Sequence, residues 1–539
     1  MTTRHATLLR PRRPLRTAAC GLALALLTWS GAAGAAPPGG GPDPDAPLRQ
    51  AVDRALADQR LAGGAVSVAV ADAATGRLVY GRDQADRLMP ASNTKLLTSA
   101  AALDVLGADY RYRTDVLADG PRHGGRLAGD LYLRGTGDPT LLARDYDALA
   151  AEVAASGVRH VTGRLVADDT RFDAERLGAG WAADNESAYY AAQISALTVA
   201  PDTDYDAGSV YVRAAPGARP GDAPRVTLTP STRYVTLDVR ARTVAEGRPG
   251  TLGIEREHGG NTITVSGDIP VRAAPAESWT SVWEPTGHAA AVFADALARH
   301  GVRVDGGTLL GRATPPRARL LAGHRSMRLA ELLVPFMKLS NNMHAEALTK
   351  TLGYETAGSG TWRAGLAAVG DFLKREGVDT GALRQVDGSG LSRMDLVPGG
   401  QLLALLTAVR HEPWFPDWYA SLPVACAPDR MTGGTLRSRM CGTAAERNVR
   451  AKTGSLTGAS ALSGYVTDGD GRELAFSVVL NNFLAGSVKS VEDAVAVALA
   501  SYRRDGASYR KDGQGVVRRA APGSAASGVE CSWTKPRGC

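Results

Sequence analysis

Apolar residues follow helical and strand-like spacings near the start of the chain. Residues 46–62 place leucines and a valine on one helical face, which predicts an amphipathic helix. Two short apolar runs at 65–71 and 77–80 flank a turn and predict a pair of strands. After Pro90, residues 93–106 predict a strong helix that ends at a glycine. The chain therefore opens with a helix, two strands and a second helix.

The central part of the chain has a different pattern of apolar and polar residues. Short apolar runs alternate with glycine, aspartate and proline turns between residues 112 and 285, which predicts a β-rich insertion. Its strand-like runs are 126–134, 160–167, 225–228, 234–240 and 261–266. Helical spacing then returns over 288–300, 329–338, 343–352 and 362–376. The last ordered elements are predicted as strands at 459–466 and 472–481 and a helix at 491–503.

This order of elements predicts an α+β fold class. The strands that open and close the chain are able to pair into one sheet flanked by helices, with the β-rich region inserted between them. A chain of 539 residues is long enough for two to four domains. Residues 505–539 are rich in glycine, serine and arginine and predict an irregular C-terminal tail.

The first 36 residues are interpreted as a leader. Its basic start contains Arg4, Arg10, Arg12, Arg13 and Arg16. An apolar run over 21–29 and a stretch of small residues follow, which is the order of a secretory signal peptide. A membrane anchor is the alternative, but this apolar run is short for a bilayer. We expect cleavage near Ala35 or Ala36, a linker at 37–45, and an exported, extracellular or wall-associated protein without a transmembrane anchor.

Removal of the leader changes the charge of the protein. The formal net charge falls from +7 to near +2, because the leader contains five arginines and no acidic residue. Such a balance does not indicate nucleic-acid binding. Four cysteines remain, and export permits disulfides. Neighbours in sequence are the simplest partners, Cys426 with Cys441 and Cys531 with Cys539, although four cysteines allow three connectivities.

The first candidate for chemistry is Ser92 at the start of the helix predicted after Pro90. Lys95 follows three residues later and falls on the same helix face. A lysine amine beside a hydroxyl can take its proton, so Ser92 is a candidate nucleophile and Lys95 its base. The alternative is a helix-capping serine and a surface lysine. The spacing is not specific, since Ser532 and Lys535 repeat it in the tail.

Two further motifs follow in the chain. Ser340-Asn341-Asn342 lies between two predicted helices, where Ser340 can relay a proton and Asn342 can bind a substrate amide. Helix capping is the alternative for this motif.

Lys452-Thr453-Gly454-Ser455 leads into the last predicted strands. Lys452 supplies positive charge, and Gly454 permits close approach of a substrate backbone. The hydroxyls of Thr453 and Ser455 are able to hold a carboxylate. The alternative is an edge-strand lysine and a turn glycine.

The three motifs in this order resemble the signature set of penicillin-binding proteins and serine β-lactamases. The segment between Ser92 and Ser340 is far longer than a compact β-lactamase needs. It resembles the class C low-molecular-mass penicillin-binding proteins, the D-alanyl-D-alanine carboxypeptidase/endopeptidase family S13, and in particular the actinomycete DD-peptidases. Further similarity to that family lies in 130–140, 193–197, 334–342, 387–393 and 530–533.

The resemblance implies a penicillin-binding, transpeptidase-like sheet domain with two inserted domains. It places the catalytic domain at 46–111 and 285–504, inserted domain II at 112–136 and 207–284, and inserted domain III at 137–206. It also implies hydrolysis of peptidoglycan stem peptides at D-Ala-D-Ala through an acyl-enzyme on Ser92, with inhibition by β-lactams. The backbone N–H groups of Ser92 and Ser455 are the implied oxyanion hole.

The same likeness implies a pocket for a substrate side chain. Trp181 and Asp184 match positions that shape this pocket in actinomycete relatives, and Arg393 matches a basic residue there. An acid and a base at one pocket would suit a zwitterionic end such as that of meso-diaminopimelate. Leu456 stands where some relatives carry methionine. The alternative is that Asp184 and Arg393 are unrelated surface charges.

Other functions remain as alternatives. A β-lactamase or esterase on the same fold is the nearest, and a non-catalytic β-lactam sensor is the alternative of a different class. The chain contains no zincin, P-loop or nucleophile-elbow motif. No cofactor or metal is expected, and the expected partners are peptidoglycan stem peptides and β-lactam antibiotics.

Overall fold

The computed structural model describes residues 43–504. The predicted leader at 1–36, the predicted tail at 505–539, the Cys531–Cys539 pairing and all but the end of the 37–45 linker lie outside the described residues.

The helices lie mostly where the spacing of apolar residues predicts them. The exceptions are a shorter first helix, followed by a short 3-10 turn, and the helices at 143–155, 399–408, 415–421 and 430–433, which the spacing analysis does not predict. The helices are α1 (Ala46–Leu56), α2 (Thr94–Leu106), α3 (Ala143–Ala155), α4 (Pro285–Arg299), α5 (Leu329–Lys338), α6 (Asn342–Ala357), α7 (Trp362–Arg375), α8 (Gly399–Ala408), α9 (Phe415–Ser421), α10 (Arg430–Gly433) and α11 (Lys489–Ser501).

The strands group at the two ends of the chain and in the central insertion. They are β1 (Ala65–Asp72), β2 (Leu78–Arg82), β3 (Arg87–Leu88), β4 (Arg113–Ala118), β5 (Arg122–His123), β6 (Arg126–Leu127), β7 (Leu131–Gly135), β8 (His160–Val161), β9 (Leu165–Asp168), β10 (Ser209–Ala215), β11 (Arg225–Thr229), β12 (Thr236–Val239), β13 (Arg242–Val244), β14 (Gly253–Arg256), β15 (Thr262–Ser266), β16 (Asp268–Pro270), β17 (Ala276–Ser281), β18 (Arg303–Val304), β19 (Thr308–Leu310), β20 (Arg319–Arg325), β21 (Val397–Pro398), β22 (Arg450–Leu456), β23 (Ala459–Thr467) and β24 (Glu473–Asn481).

One antiparallel sheet joins the two ends of the chain, in the order β2-β1-β24-β23-β22. Strand β1 pairs with β24 along its whole length, with Val68 opposite Val478. The prediction that the opening and closing strands form one sheet is therefore confirmed. Strands β1, β23 and β24 are buried along nearly their whole length, because their sequences are almost continuously apolar.

Helices cover both faces of this sheet. Residues of α2, α5, α6, α7 and α8 form one buried core with inward-facing sheet residues such as Val479. Helices α1 and α11 pack together on the other face, where their apolar stripes meet Val68 and Val478. Each fully buried aliphatic side chain contributes about 1.5–3 kcal/mol of transfer free energy. The edge strand β22 lies against the turn at residues 91–93 that leads into α2.

A second five-stranded sheet lies in the insertion, in the order β19-β9-β7-β4-β20. Strands β7 and β9 run parallel and are connected through α3, which covers the sheet together with α4. The analysis of apolar spacing assigns this region to a β-rich insertion and misses α3. Its buried residues Tyr146, Leu149, Ala150 and Val153 do have helical spacing.

Strand pairing groups the insertion differently from the division that the resemblance implies. Strand β4 pairs with β20, and β9 pairs with β19, so residues 285–325 share a sheet and a core with 113–168. The division at 136/137 separates β7 from its partner β9. Strands β10 to β17 form smaller sheets with small cores of their own.

Cys426 and Cys441 form a disulfide, with their Cα atoms 5.0 Å apart. This is one of the two pairings preferred from the sequence. The bridge closes a loop just before β22. A disulfide across a loop of this length stabilises the folded state by about 3 kcal/mol, mainly because it restricts the unfolded chain. Within residues 43–504, no helix is both long enough and apolar enough to cross a membrane.

We expect the stability of the folded chain to fall between about pH 6.5 and pH 4, in part because of His288. This side chain is fully buried in α4, and neither ring nitrogen has a hydrogen-bond partner within residues 43–504. Burial lowers the pKa of His288 from 6.5 to about 4. In this window the unfolded state takes up a proton that the folded state does not, at a cost of about 2 kcal/mol at pH 5.

The measurement is the thermal unfolding midpoint at pH 7 and pH 5. His288→Phe should lose less stability than the wild type between these values, because it has no imidazole to protonate. His411→Phe, at an exposed histidine, should behave as the wild type does. An unchanged pH dependence in His288→Phe would contradict the prediction.

Candidate active site

Ser92 lies in a sharp bend that leads into α2. Residues 91–93 form one 3-10 turn, and α2 begins directly after them at Thr94. Ala91 has a φ of +47°, a left-handed conformation that costs free energy for a residue with a side chain. Close contacts with Gly390 and Gly454 hold this conformation in place. The Ser92 side chain is 2% exposed.

Lys95 is fully buried one turn after Ser92. Its Nζ donates to Ser92 Oγ at 2.9 Å, to Asn342 Oδ1 at 2.6 Å and to the carbonyl oxygen of Ser389 at 2.8 Å. The alternative of a surface lysine is therefore excluded. When Lys95 is neutral, the two carbonyl oxygens are able to accept its two N–H bonds, and its lone pair then faces the Ser92 hydroxyl. This is the geometry of a general base.

The Ser-x-Asn motif lies at the junction of α5 and α6. Helix capping, the alternative for this motif, applies to its middle residue, because the side chain of Asn341 accepts from His344 N at 3.2 Å. Ser340 has a φ of +60° and faces Lys452. Asn342 faces Lys95, and its amide nitrogen donates to the carbonyl oxygen of Tyr190 at 2.8 Å. Both polar ends of Asn342 thus have partners within the protein.

The Lys-Thr-Gly-Ser motif lies on β22, the edge strand nearest to Ser92. Lys452 is fully buried, and its Nζ donates to Ser340 Oγ at 2.7 Å and to the carbonyl oxygen of Thr453 at 2.7 Å. Thr453 Oγ1 donates to Thr435 Oγ1 at 2.8 Å. The buried hydroxyl of Ser455 has no hydrogen-bond partner among the described residues. A hydroxyl in that position is available to a ligand.

Packing within the protein requires a glycine at position 454. A Cβ atom at this position would lie 2.6 Å from the carbonyl oxygen of Pro90 and 3.1 Å from the backbone nitrogen of Ser92. The sequence analysis explains this glycine by the approach of a substrate backbone. In the structure, the backbone that approaches Gly454 is the bend that carries Ser92. The contact joins β22 to the start of α2 and brings the amides of both segments close together.

The residues predicted for a substrate pocket lie around one rim of the site. Trp181 and Leu456 belong to one apolar cluster with Tyr189, Tyr190, Ala191 and Leu391. Asp184 is exposed. Burial is the main cause that raises the pKa of Tyr190, and the charge of Asp184 adds to it. Arg393 is also exposed and donates to the carbonyl oxygen of Thr457, next to Leu456, at 2.9 Å.

Two groups at the site escape the sequence analysis. One is the carbonyl oxygen of Ser389, which contacts Lys95. A backbone atom gives no signal in a residue pattern. The other is Glu346, a fully buried carboxylate whose pKa is raised to about 7 by burial and by the charge of Asp387. Its position in α6, one turn after Asn342, is the signal that was available.

Three aspartates, Asp202, Asp204 and Asp206, form the group of residues nearest to a metal-ligand arrangement in the part of the chain that the structure describes. Protein donors already reach all three carboxylates. Trp279 donates to Asp202 at 2.6 Å, Arg430 to Asp204 at 2.6 Å and Asn341 to Asp206 at 3.1 Å. The cluster helps to anchor the Ser-x-Asn loop through Asn341.

Residues 48–502 match the model of the D-Ala-D-Ala carboxypeptidase 3 (S13) family. The chain belongs to this family. It is 49% identical over 491 residues to the D-alanyl-D-alanine carboxypeptidase of Actinomadura sp. (strain R39), covering 90% of each chain. It is 26% identical to the D-alanyl-D-alanine carboxypeptidase DacB of Haemophilus influenzae, covering 75% of this chain and 82% of the relative.

Similarity to a solved structure extends to the fold. Penicillin binding protein 4 from Haemophilus influenzae superposes with a TM-score of 0.73 at 24% sequence identity. The match covers 83% of this chain and 98% of that protein. The predicted family and the predicted fold class, a penicillin-binding α+β sheet with insertions, are thereby confirmed.

We expect Gly454→Ala to slow acylation of this S13-family protein by about 100-fold. The added methyl group meets backbone atoms of Pro90 and Ser92, which cannot rotate away, so the strand or the bend must shift. A displacement of about 1 Å near a reacting group can cost this much in rate. The measurement is the rate of covalent labelling by a fluorescent penicillin.

Gly370→Ala provides the matched control for this substitution. Gly370 lies inside α7, and a Cβ atom there would contact nothing within 4 Å. This variant should label at the wild-type rate and gain up to about 1 kcal/mol of stability. Equal labelling rates for the two variants would show that the close contact at Gly454 is unimportant.

Proposed function

We propose that Ser92 is the nucleophile with which this D-alanyl-D-alanine carboxypeptidase cleaves peptidoglycan stem peptides. The observation that carries the proposal is the pairing of two fully buried lysines with two hydroxyls at one site. Lys95 Nζ lies 2.9 Å from Ser92 Oγ, and Lys452 Nζ lies 2.7 Å from Ser340 Oγ. Burying two amines is costly, and a proton-transfer role accounts for their retention.

Acylation begins with proton transfer from Ser92 to Lys95. The serine oxygen attacks the carbonyl carbon of the penultimate D-alanine, and the carbonyl oxygen becomes an oxyanion. The N–H groups of Ser92 and Ser455 are proposed to stabilise it, and the close packing of Gly454 on the Ser92 amide supports this assignment. A donor of this kind is worth about 2.7–4 kcal/mol in the transition state.

Collapse of the tetrahedral intermediate expels the terminal D-alanine. Its amino group needs a proton, and we propose that the Lys452–Ser340 pair passes on the proton that Lys95 took from Ser92, which leaves Lys95 neutral again. The hydroxyls of Thr453 and Ser455 are proposed to bind the carboxylate of the leaving residue. Water then attacks the ester on Ser92, with neutral Lys95 accepting its proton and returning it to the Ser92 oxygen as the shortened peptide leaves. The same acyl-enzyme would serve cleavage of a D-alanyl cross-link.

The rim residues are proposed to select the substrate side chain. Trp181 and Leu456 supply an apolar wall, and the exposed charges of Asp184 and Arg393 stand at its edge. A side chain that ends in both an ammonium and a carboxylate, as in meso-diaminopimelate, would match this pair of charges.

We also propose that the chain acts outside the cytoplasm. The leader pattern over residues 1–36 and the Cys426–Cys441 disulfide support this location. The insertion is proposed to comprise two domains, and strand pairing favours grouping 113–168 with 285–325 in one of them.

Penicillin should form one covalent adduct per molecule, on Ser92. Mass spectrometry of the intact protein and of its peptides after incubation measures this directly. Ser92→Ala should form no adduct, because it has no nucleophile. Ser532→Ala, which alters the copy of the same spacing in the tail, should form the adduct as the wild type does. Labelling that persists in Ser92→Ala would refute the assignment.

The lifetime of this adduct separates the proposed peptidase from a β-lactamase. The peptidase should keep the adduct for long enough to isolate it, and it should release D-alanine from a stem pentapeptide. Rapid turnover of penicillin would indicate the β-lactamase. An adduct without any release of D-alanine would indicate a sensor.

Asp184→Asn should raise KM by about three- to fivefold for a stem peptide with a free side-chain ammonium, while kcat changes little. The loss of one exposed charge contact corresponds to at most about 1 kcal/mol. Steady-state release of D-alanine measures both constants. The effect should disappear when the ammonium of the peptide is acetylated. Asp417→Asn, at an exposed aspartate in α9, should match the wild type, and an equal effect in both variants would exclude a pocket role for Asp184.

A further inference from the structure

Two buried carboxylates lie directly behind the catalytic lysine. Glu346 and Asp387 are both fully buried. Glu346 stands one helical turn after Asn342 on α6, and Asp387 opens the loop 387–392 that passes Lys95. Neither side chain has a part in the mechanism proposed above.

The two carboxylates bind the backbone of this loop through successive N–H groups. Glu346 accepts from Gly388 N at 2.8 Å and from Ser389 N at 2.9 Å. Asp387 accepts from Ser389 N at 3.2 Å, from Gly390 N at 2.7 Å and from Ser392 N at 2.7 Å. Glu346 thus accepts two of these backbone hydrogen bonds and Asp387 three. We call these two carboxylates, Glu346 and Asp387, the acid clamp.

The acid clamp fixes the Ser389 carbonyl group on Lys95. The N–H of Ser389 is held by both carboxylates, and the carbonyl oxygen of the same residue accepts from Lys95 Nζ at 2.8 Å. Packing prevents a large shift, since a Cβ atom at Gly390 would lie 1.9 Å from the carbonyl oxygen of Ala91. The position of the Ser389 carbonyl decides where the lone pair of a neutral Lys95 points.

We infer that Glu346 and Asp387 are positioning residues, which orient the lone pair of Lys95 toward Ser92 through the backbone of Ser389. The inference rests on the proposed function, in which Lys95 is the base. With Asn342 Oδ1 and Ser389 O each accepting one N–H, the lone pair of the amine is left for the Ser92 hydroxyl. If the Ser389 carbonyl moves away, an N–H of Lys95 is free to rotate toward Ser92, and proton abstraction slows.

The acid clamp also contacts the proposed substrate pocket. The indole N–H of Trp181 donates to Asp387 at 2.9 Å, and that of Trp362 donates to Glu346 at 2.7 Å. The two indole rings pack edge to face, with centroids 6.3 Å apart. Since Trp181 lines the pocket, a substrate side chain that presses on this ring acts on the same carboxylates that orient the base. The acid clamp thereby links substrate recognition to proton abstraction.

Glu346→Gln tests the inference with little change in side-chain volume. The amide keeps one acceptor oxygen but turns its NH2 group toward a backbone N–H, so one hydrogen bond of the loop is lost. The measurement is penicillin acylation by stopped flow over a range of concentrations, which separates the maximal rate from the apparent dissociation constant. We expect the maximal rate to fall by about 10- to 100-fold and the dissociation constant to stay as in the wild type.

Glu492→Gln is the matched control. Glu492 is also fully buried in the same sheet domain, where it accepts from Arg439 at 2.8 Å, but it lies on α11 at the opposite face of the sheet. This variant should unfold at a lower temperature and still be acylated at the wild-type rate. An acylation rate of Glu346→Gln equal to the wild type, or an equal loss in both variants, overturns the inference.

Trp362→Phe supplies a second variant in case Glu346→Gln does not fold. It keeps one six-membered aromatic ring and removes the five-membered ring that carries the N–H donor to Glu346. A smaller loss of maximal rate is expected, and an unchanged rate counts against the acid clamp. Failure of the wild type and of Glu492→Gln to form any adduct would instead overturn the proposed function.

Discussion

The site depends on one buried amine held at hydrogen-bond distance from one hydroxyl. Lys95 is removed from water, so its proton affinity and its direction are set by the groups around it. Two of these groups, Asn342 Oδ1 and the Ser389 carbonyl, accept hydrogen bonds without offering a proton. The amine is therefore directed at Ser92, and the fold must bring three distant segments to one point with an accuracy of tenths of an ångström.

The central sheet provides that accuracy. It is built from both ends of the chain, so β22 lies beside the bend that carries Ser92 although most of the sequence separates them. Contacts too close for any side chain join the segments, at Gly454 against Pro90 and at Gly390 against Ala91. The strained backbone of Ala91 is tolerated because it is fixed from two sides.

Much of this architecture is readable in the sequence. The apolar spacing predicts the bounds of α2, α5, α7 and the closing strands to within a few residues. The apolar residues of each of these elements recur at one regular spacing, and each element has a clear end. It misses α3, which lies between short strands whose turns dominate the local composition. It also extends α1 too far, since the chain leaves the helix after Leu56 and residues 59–61 form a tight 3-10 turn. The grouping of inserted strands differs from the expected one, because strand partners are chosen across more than a hundred residues.

The sequence by itself determined which side chains are proposed to carry the chemistry. A serine and a lysine three residues apart lie on one helix face in any helix, and the order of the three motifs identifies the family. Only the tertiary structure decided that Asn341 caps a helix while its two neighbours face the lysines, and that a backbone carbonyl and two buried acids complete the site. The identity of a side chain and the spacing at which apolar residues recur are local properties of the chain. Which carbonyl faces an amine depends on packing between distant segments, and nearly every residue carries a carbonyl group of the same kind.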